Sequence, residues 1–333
     1  MRKISAYARL LRVPGIGALG VVPVIGALIV GMNDFPTLVI VFIIGALSSI
    51  FGFLVNDYVD IELDKLVDDL QKKPLVSGEI SRKAALMTAF VLSFSAFFFI
   101  ALLWYNLPIT FYRFVAFVCI LLAGFLGTTY DIYGKKIIGS DFLVAISVAF
   151  IFLFGALSFA APTPMVWVVF LLTFENILFM NAIQNGLKDA DHDYKMGVKN
   201  IAIASGVKVE GNSLVIPWGF KGFGFGLRLF AAALFFVPFF VFNYPYYWWQ
   251  LGLLGFLVVV FLVIDARFLS MKTFDRSKIR RIIGVQSFLR YSLVPVMLMR
   301  INLVAAVLLI LIPIVWYIAF TPLLGERMFK PRM

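Results

Sequence analysis

Two short polar stretches interrupt an otherwise apolar chain. In VNDYVDIELDKLVDD, residues 55–69, Asn56, Asp60 and Asp64 stand at i, i+4 and i+8, with Asp57 three residues before Asp60. On a helix this spacing aligns the triplet along one face. Carboxylates so aligned repel one another, and a hard cation that takes oxygen ligands, such as Mg²⁺, relieves the repulsion. The second stretch, NGLKDADHDYKMGVKN, repeats the pattern with Asn185, Asp189 and Asp193, each 129 residues after its counterpart. A solvated helix end, its acids paired with Lys65, Lys72 and Lys73, would account for the first stretch alone. Two triplets in register, each following an apolar run, point to an internal duplication into halves of about 1–130 and 131–333, both presenting oxygen to one shared cavity.

Two acid clusters holding Mg²⁺ invite a diphosphate, because Mg²⁺ binds through a few carboxylates plus phosphate oxygens. Fixed cations suited to a diphosphate are present: Lys73 in KKPLVSG, Lys135 and Lys136 in TTYDIYGKK, and Lys188 beside Asp189. The bland alternative for any one lysine is ordinary charge on one side of a membrane, which explains Lys135 and Lys188 least well.

The elements that must position these groups are apolar. The 333 residues are 62% hydrophobic and 14% charged, against about 25% charged in a soluble domain. An integral membrane protein is implied, a single membrane-embedded unit with no soluble domain. Runs near the ~20 residues needed to cross a bilayer predict nine spans, near residues 15–32, 38–55, 84–104, 113–130, 142–160, 165–185, 227–243, 249–264 and 299–320. Residues 281–298 carry Arg281 and Arg290 and are placed as a partly buried or interfacial approach to the ninth span, with a tenth span as the alternative. The connections on one side hold 24 of the 29 Lys and Arg, which makes that side cytoplasmic. The C-terminal ERMFKPRM is a basic exception and favours an even number of spans. The +11 net charge thus reflects membrane sidedness, and no nucleic-acid partner is expected. MRKISAYARLLRVPG lacks a small-residue cleavage site and reads as a surface helix entering span one rather than a removed signal. Cys119 is the only cysteine, excludes an intrachain disulfide and reads as packing. Tyr244, Tyr246, Tyr247, Trp248 and Trp249 read as an interfacial belt.

The 37 Phe and 17% aromatic content suit a greasy chain whose diphosphate head sits at the cytoplasmic rim. A polyprenyl diphosphate fits that description. Metal and lysines would stabilise the leaving diphosphate, and aromatic faces the allylic cation, although most aromatics serve packing or face lipid. His192, the only histidine, is a general-base candidate turned away from the Asp189 and Asp193 face, and reads better as a surface residue.

At this level the chain resembles the UbiA-type intramembrane prenyltransferases over about residues 5–320. NDYVDIELD fits their NDxxDxxxD signature, and DADHD followed by Gly197 and Lys199 fits the second, DxxxD signature. KPLVSGEIS resembles the Arg-Pro-Leu-x-Ser-Gly stretch, with Lys73 replacing the Arg. YDIYGKK resembles the stretch after span four, with Tyr130 and Lys135 on its Tyr and Lys. Arg12 in LLRVPG matches the Arg of an Arg-Pro element, with Val13 intervening. The resemblance implies an all-α fold, a ring of nine transmembrane helices around a central cavity with cytoplasmic cap helices. It implies Mg²⁺-dependent transfer of a prenyl group from its diphosphate to a lipophilic acceptor, an aromatic or quinone precursor or a glyceryl lipid. Asp60, Asp64, Asp189 and Asp193, with Asp57 as a weaker ligand, would hold metal. Asn56, Asn185, Lys188, Lys135, Lys73 and Arg12 would serve the diphosphate, and Tyr130 the prenyl head.

The acceptor is not marked. Asn185 and Gly186 stand where members that alkylate a glyceryl lipid often carry a Lys-Asp pair, and Ala182 stands roughly where hydroxybenzoate-using members carry an Asp. GVKVEGNSLVIPWGFKGFGFG is longer and richer in glycine than the usual connection to span seven, and Gly222, Gly224 and Gly226 predict either a mobile lid or an ordinary loop. Two rivals fit less well. A CDP-alcohol phosphotransferase needs a single long motif with Asp-Gly and Ala-Arg elements, absent here. A cation-coupled transporter needs acids near the midplane rather than at span ends. A cytoplasmic-facing site in a prokaryotic plasma membrane is expected, with membrane lipid as the surroundings.

Overall fold

The computed structural model describes residues 2–67 and 70–324. ERMFKPRM, the basic C-terminal exception, lies outside them, as do Asp68 and Asp69. The chain divides into two compact units, Met1–Ile132 with Ile151–Ala161 and Leu311–Met333, and Tyr133–Phe150 with Pro162–Ile310.

The first unit is built from α1 (Arg2–Leu10), a three-ten turn at Val13–Gly15, α2 (Ile16–Ile29), α3 (Phe35–Val59), α4 (Ile61–Asp64), α5 (Arg82–Trp104) and α6 (Phe111–Tyr133). Its helix starts are set by local chemistry. Asp34 accepts from Thr37 N at 3.0 Å ahead of Pro36, and Ser81 accepts from Ala84 N at 3.2 Å, each satisfying a donor that the helix leaves free. Leu10, Ile50, Leu54, Ile61 and Leu75 meet in one buried apolar cluster. The C-terminal part of α7 (Asp141–Leu157) also belongs to this unit, and it crosses α2 closely: a Cβ at Gly155 would collide with the Pro23 carbonyl. Small residues that let backbones touch are the usual means of packing helices in lipid.

The second unit holds the start of α7, then α8 (Pro164–Leu178), a π-helix (Phe179–Asn185), α9 (Gly186–Lys188), α10 (Ala190–Lys195) and α11 (Ile201–Ala204). A hairpin follows, β1 (Lys208–Glu210) antiparallel to β2 (Ser213–Val215) with Val209 opposite Leu214. Next come α12 (Trp218–Leu234), α13 (Val237–Phe240), α14 (Trp248–Leu269), α15 (Arg276–Leu298) and α16 (Leu303–Phe320), whose end returns to the first unit. Phe179, Ile183, Leu187, Leu214, Phe220 and Phe268 form its buried core.

Among the described residues, seven helices are long and apolar enough to cross a membrane, and eight if the pair Lys3–Leu10 and Val13–Ile29, bent by 45°, is one span. The protein is a multi-pass membrane protein. The run expected at 142–160 forms the apolar helix Asp141–Leu157, which is shorter than these, so the expected total of nine exceeds what length and composition support. Arg276–Leu298 does not qualify as a span, and its arginines explain why.

The expected lid or loop is neither. Gly222, Gly224 and Gly226 lie inside α12, which begins nine residues before the predicted start of span seven. Gly224 stands where an added Cβ would come within 3.2 Å of Leu269 and 3.3 Å of Ile183. Gly224 thins the helix for close packing, while nothing lies near an added Cβ at Gly222 or Gly226. Trp248 and Trp249 are exposed and Tyr247 stacks on Trp249 with ring centres 5.4 Å apart.

Candidate active site

The first motif straddles a break. α3 stops at Val59, Asp60 takes φ −81° and ψ −1°, and the chain resumes as α4. The spacing survives the break, because Asp60 N donates to Asn56 O at 3.0 Å and Asp64 N to Asp60 O at 2.8 Å. Asp57, Asp60 and Asp64 are all buried, at 4%, 6% and 3% exposure. Within this cluster sits Lys73, whose Nζ donates to Asp57 Oδ1 at 2.9 Å and Asp64 Oδ2 at 2.7 Å. Burial opposes the Lys73 charge, but Asp57 and Asp64 more than reverse that and hold its pKa above the ordinary lysine value.

Arg12 joins the same cluster. Its backbone is left-handed, φ 46°, and its Nη2 donates to Asp57 Oδ1 at 3.0 Å while the guanidinium lies 4.6 Å from the centre of the Phe53 ring. Trp316 Nε1 donates to Val13 O at 2.9 Å and fixes the turn that carries Arg12. Of the pairings expected for a solvated helix end, Lys65 with Glu62 at 3.0 Å and Lys73 with Asp57 and Asp64 are present, but the three aspartates are buried rather than solvated. Asn56 is hydrogen-bonded to Asp131, which also feels Asp60, Arg12 and Asp57. Asp131 was not singled out by spacing; its only sequence signal is adjacency to Tyr130, which is half-buried near the end of α6.

The second motif repeats this local construction. The π-helix ends at Asn185, Asp189 takes φ −107° and ψ 6° between α9 and α10, and Asp189 N–Asn185 O and Asp193 N–Asp189 O are both 2.9 Å. Here too a lysine is lodged within the motif: Lys188 Nζ donates to Asn185 Oδ1 at 3.0 Å and lies 3.3 Å from Asp189 Oδ2. Asn200 donates to Asp193 Oδ2 at 2.7 Å and accepts from Ile203 N at 2.8 Å, capping α11. Gly197, at φ 65°, reverses the chain after α10 so that Val198 N reaches Asp193 O at 3.0 Å, a turn that favours glycine. Lys135 interacts electrostatically with Asp193, and its carbonyl accepts from Lys199 N at 2.9 Å. Burial and the neighbouring Asp189 charge push the Asp193 carboxyl up to about 7.

His192 points elsewhere, as expected. Its Nδ1 lies 3.1 Å from Arg276 Nη2 and its Nε2 3.5 Å from Asp191 Oδ2, and Arg276 reaches Asp191 at 2.5 Å. Arg276 and Asn200 were not anticipated, since nothing in the local sequence marks a side chain that arrives from another element.

A family model described as the UbiA prenyltransferase family matches residues 20–280. The chain belongs to this family. Among curated relatives, the 4-hydroxybenzoate octaprenyltransferase of Shewanella baltica is 39% identical over 107 residues, 31% of this chain and 37% of the relative. The match thus spans little more than a third of that relative's length. Two solved UbiA homologues share the fold. The apo homologue of Aeropyrum pernix K1 has a TM-score of 0.64 at 15% identity, covering 88% of this chain and 96% of its own. The Archaeoglobus fulgidus homologue bound to GPP and Mg²⁺ has 0.62 at 19% identity, covering 89% and 99%.

The donor chemistry of both motifs fits Mg²⁺: carboxylate and amide oxygens, with no thiol or imidazole among them. Among the described residues no three acidic, His or Cys side chains converge as a ready-made metal cage. Lys73 and Arg12 engage the oxygens of the first motif, and Lys188 and Asn200 those of the second.

Proposed function

We propose that the protein transfers a prenyl group from a polyprenyl diphosphate to a lipophilic acceptor in the membrane, releasing diphosphate, with Mg²⁺ as cofactor. One observation carries this: in a UbiA-family chain, the same backbone-bonded Asn–Asp–Asp triplet, with a lysine lodged against its carboxylates, closes an apolar span in each unit.

Asp60, Asp64, Asp189 and Asp193, with Asp57, would hold Mg²⁺, which when bound neutralises charge on the leaving diphosphate. Lys73 and Lys188 already stand against the carboxylates and need only turn toward phosphate oxygens to become diphosphate ligands. Lys135, beside Asp193, and Arg12, beside Asp57, add fixed positive charge. Asn56 and Asn185 serve the diphosphate beside the carboxylates, and Tyr130 serves the prenyl head. The C–O bond of the allylic diphosphate breaks with its electron pair on oxygen. The acceptor's nucleophilic atom then takes the prenyl carbon and loses a proton. Each motif offers the same set of carboxylates and a lysine to metal and diphosphate. The name of the Shewanella relatives favours an aromatic acceptor, the basic connections favour a cytoplasmic site in the cell membrane, and counting the shorter Asp141–Leu157 beside the eight candidate spans gives nine crossings.

The test is release of diphosphate from geranyl or longer prenyl diphosphates by purified protein with 4-hydroxybenzoate, quinone precursors and glyceryl lipids, with product identified by mass spectrometry. Mg²⁺-dependent release with a prenylated product is expected. No release with any of these acceptors contradicts the assignment.

A further inference from the structure

Six polar side chains from five elements form a continuous chain of contacts inside the second unit. Arg228 of α12 donates from Nη1 to Glu175 of α8 at 3.0 and 3.2 Å, and its Nε lies 2.8 Å from Asp265 Oδ2 of α14. Gln286 of α15 donates to the other Asp265 oxygen. Gln184 of the π-helix donates to Gln286 Oε1 at 2.6 Å and accepts from Arg290 Nη1 at 3.1 Å. None of the six is more than 7% exposed.

Such a network is a poor source of stability. Two arginines and two acids must be stripped of water, and apolar side chains of similar volume often serve a core as well or better. What it supplies is direction, and its contacts fall on both ends of the π-helix. The Arg228 guanidinium lies 3.3 Å from the centre of the ring of Phe179, the first residue of that helix. Gln184, held by Gln286 and Arg290, immediately precedes Asn185. A π-helical turn is rare and weakly bonded, so its register needs support from outside. α15 also reaches past the π-helix: Arg276 donates to Lys188 O at 3.4 Å and to Asp191 at 2.5 Å.

We propose that Gln184, Gln286, Arg290 and Arg276 are positioning residues, through which α15 fixes the π-helical register that aims Asn185, Lys188 and Asp189. The assignment rests on the function proposed above for the second motif. α15, which does not qualify as a membrane span, is in this account a strut for the site.

The test uses full-length protein in detergent, with Mn²⁺ titrated by calorimetry and KM for geranyl diphosphate measured in Mg²⁺. Gln286→Met and Gln184→Met each lower Mn²⁺ affinity about tenfold and raise KM. The double variant loses less than the sum of the two single ones, since both remove the Gln184–Gln286 contact. Gln184→Glu, which keeps an acceptor for Arg290, recovers part of the loss. Arg276→Gln cuts the strut at its outer end without touching the buried network, and shifts affinity the same way. Wild-type affinity and KM in Gln286→Met or Arg276→Gln overturn the proposal, as does a loss of thermal stability with both values unchanged. Wild-type protein that binds no Mn²⁺ and releases no diphosphate overturns the functional assignment instead, so the two failures are distinct.

Discussion

Lys73 Nζ lies 2.7 Å from Asp64 Oδ2 and bridges to Asp57 in the same buried cluster. The lysine is therefore a built-in counter-ion, occupying oxygens that a metal would otherwise use. Lys73→Met removes it and leaves the acids to an external cation. Metal binding alone should tighten about tenfold, roughly 1.4 kcal/mol, while affinity for a prenyl diphosphate falls. Calorimetry with Mn²⁺ and then with geranyl diphosphate separates the two effects. Unchanged metal affinity would show that Lys73 does not compete for the site.

The parts of this arrangement that repeat at a fixed period were legible in the sequence, and those that depend on convergence were not. The 129-residue offset between Asn56, Asp60, Asp64 and Asn185, Asp189, Asp193 needs only counting, and the backbone bonds then realise it. The breaks at Asp60 and Asp189 are invisible to that count, because i→i−4 bonding carries the spacing across them. Asp131 is a single acid at a span end, with nothing local to tie it to Asn56. Nothing local in the sequence links Glu175, Arg228 and Asp265; their pairing depends on three helices that meet only in the fold. Gly222, Gly224 and Gly226 misled because glycine marks loops yet also occurs inside helices; the neighbours Leu269 and Ile183 account for Gly224, and Gly222 and Gly226 lie exposed on α12.

Asn200 does two jobs that substitution can separate. Its Oδ1 caps α11 and its Nδ2 orients Asp193. Asn200→Ala should cost about 1 kcal/mol from the lost cap and lower turnover at least about tenfold, the scale of removing a group that orients a ligand. Asn200→Asp keeps the cap but sets a carboxylate against Asp193, so thermal stability should recover while turnover stays low. Recovery of both would mean that the contact with Asp193 is idle.

The buried Arg228 offers a stability test independent of the chemistry. Arg228→Leu leaves Glu175 and Asp265 buried without their main counter-charge, a loss of about 3–5 kcal/mol. Replacing all three with Leu removes the orphaned charges as well and should restore much of the melting temperature. A triple variant no more stable than the single one would mean that the ion pairing is not what Arg228 contributes.

The central claim is that the motif in each unit is needed for Mg²⁺-dependent binding of a prenyl diphosphate. Calorimetric titration of geranyl diphosphate into wild type, Asp60→Ala and Asp189→Ala, with Mg²⁺ and with excess chelator, tests it most directly. The account predicts wild-type binding that weakens under chelator, and binding lowered about 100-fold in each variant, with both proteins folded and membrane-inserted. Wild-type affinity in either variant, or binding indifferent to Mg²⁺, would contradict it.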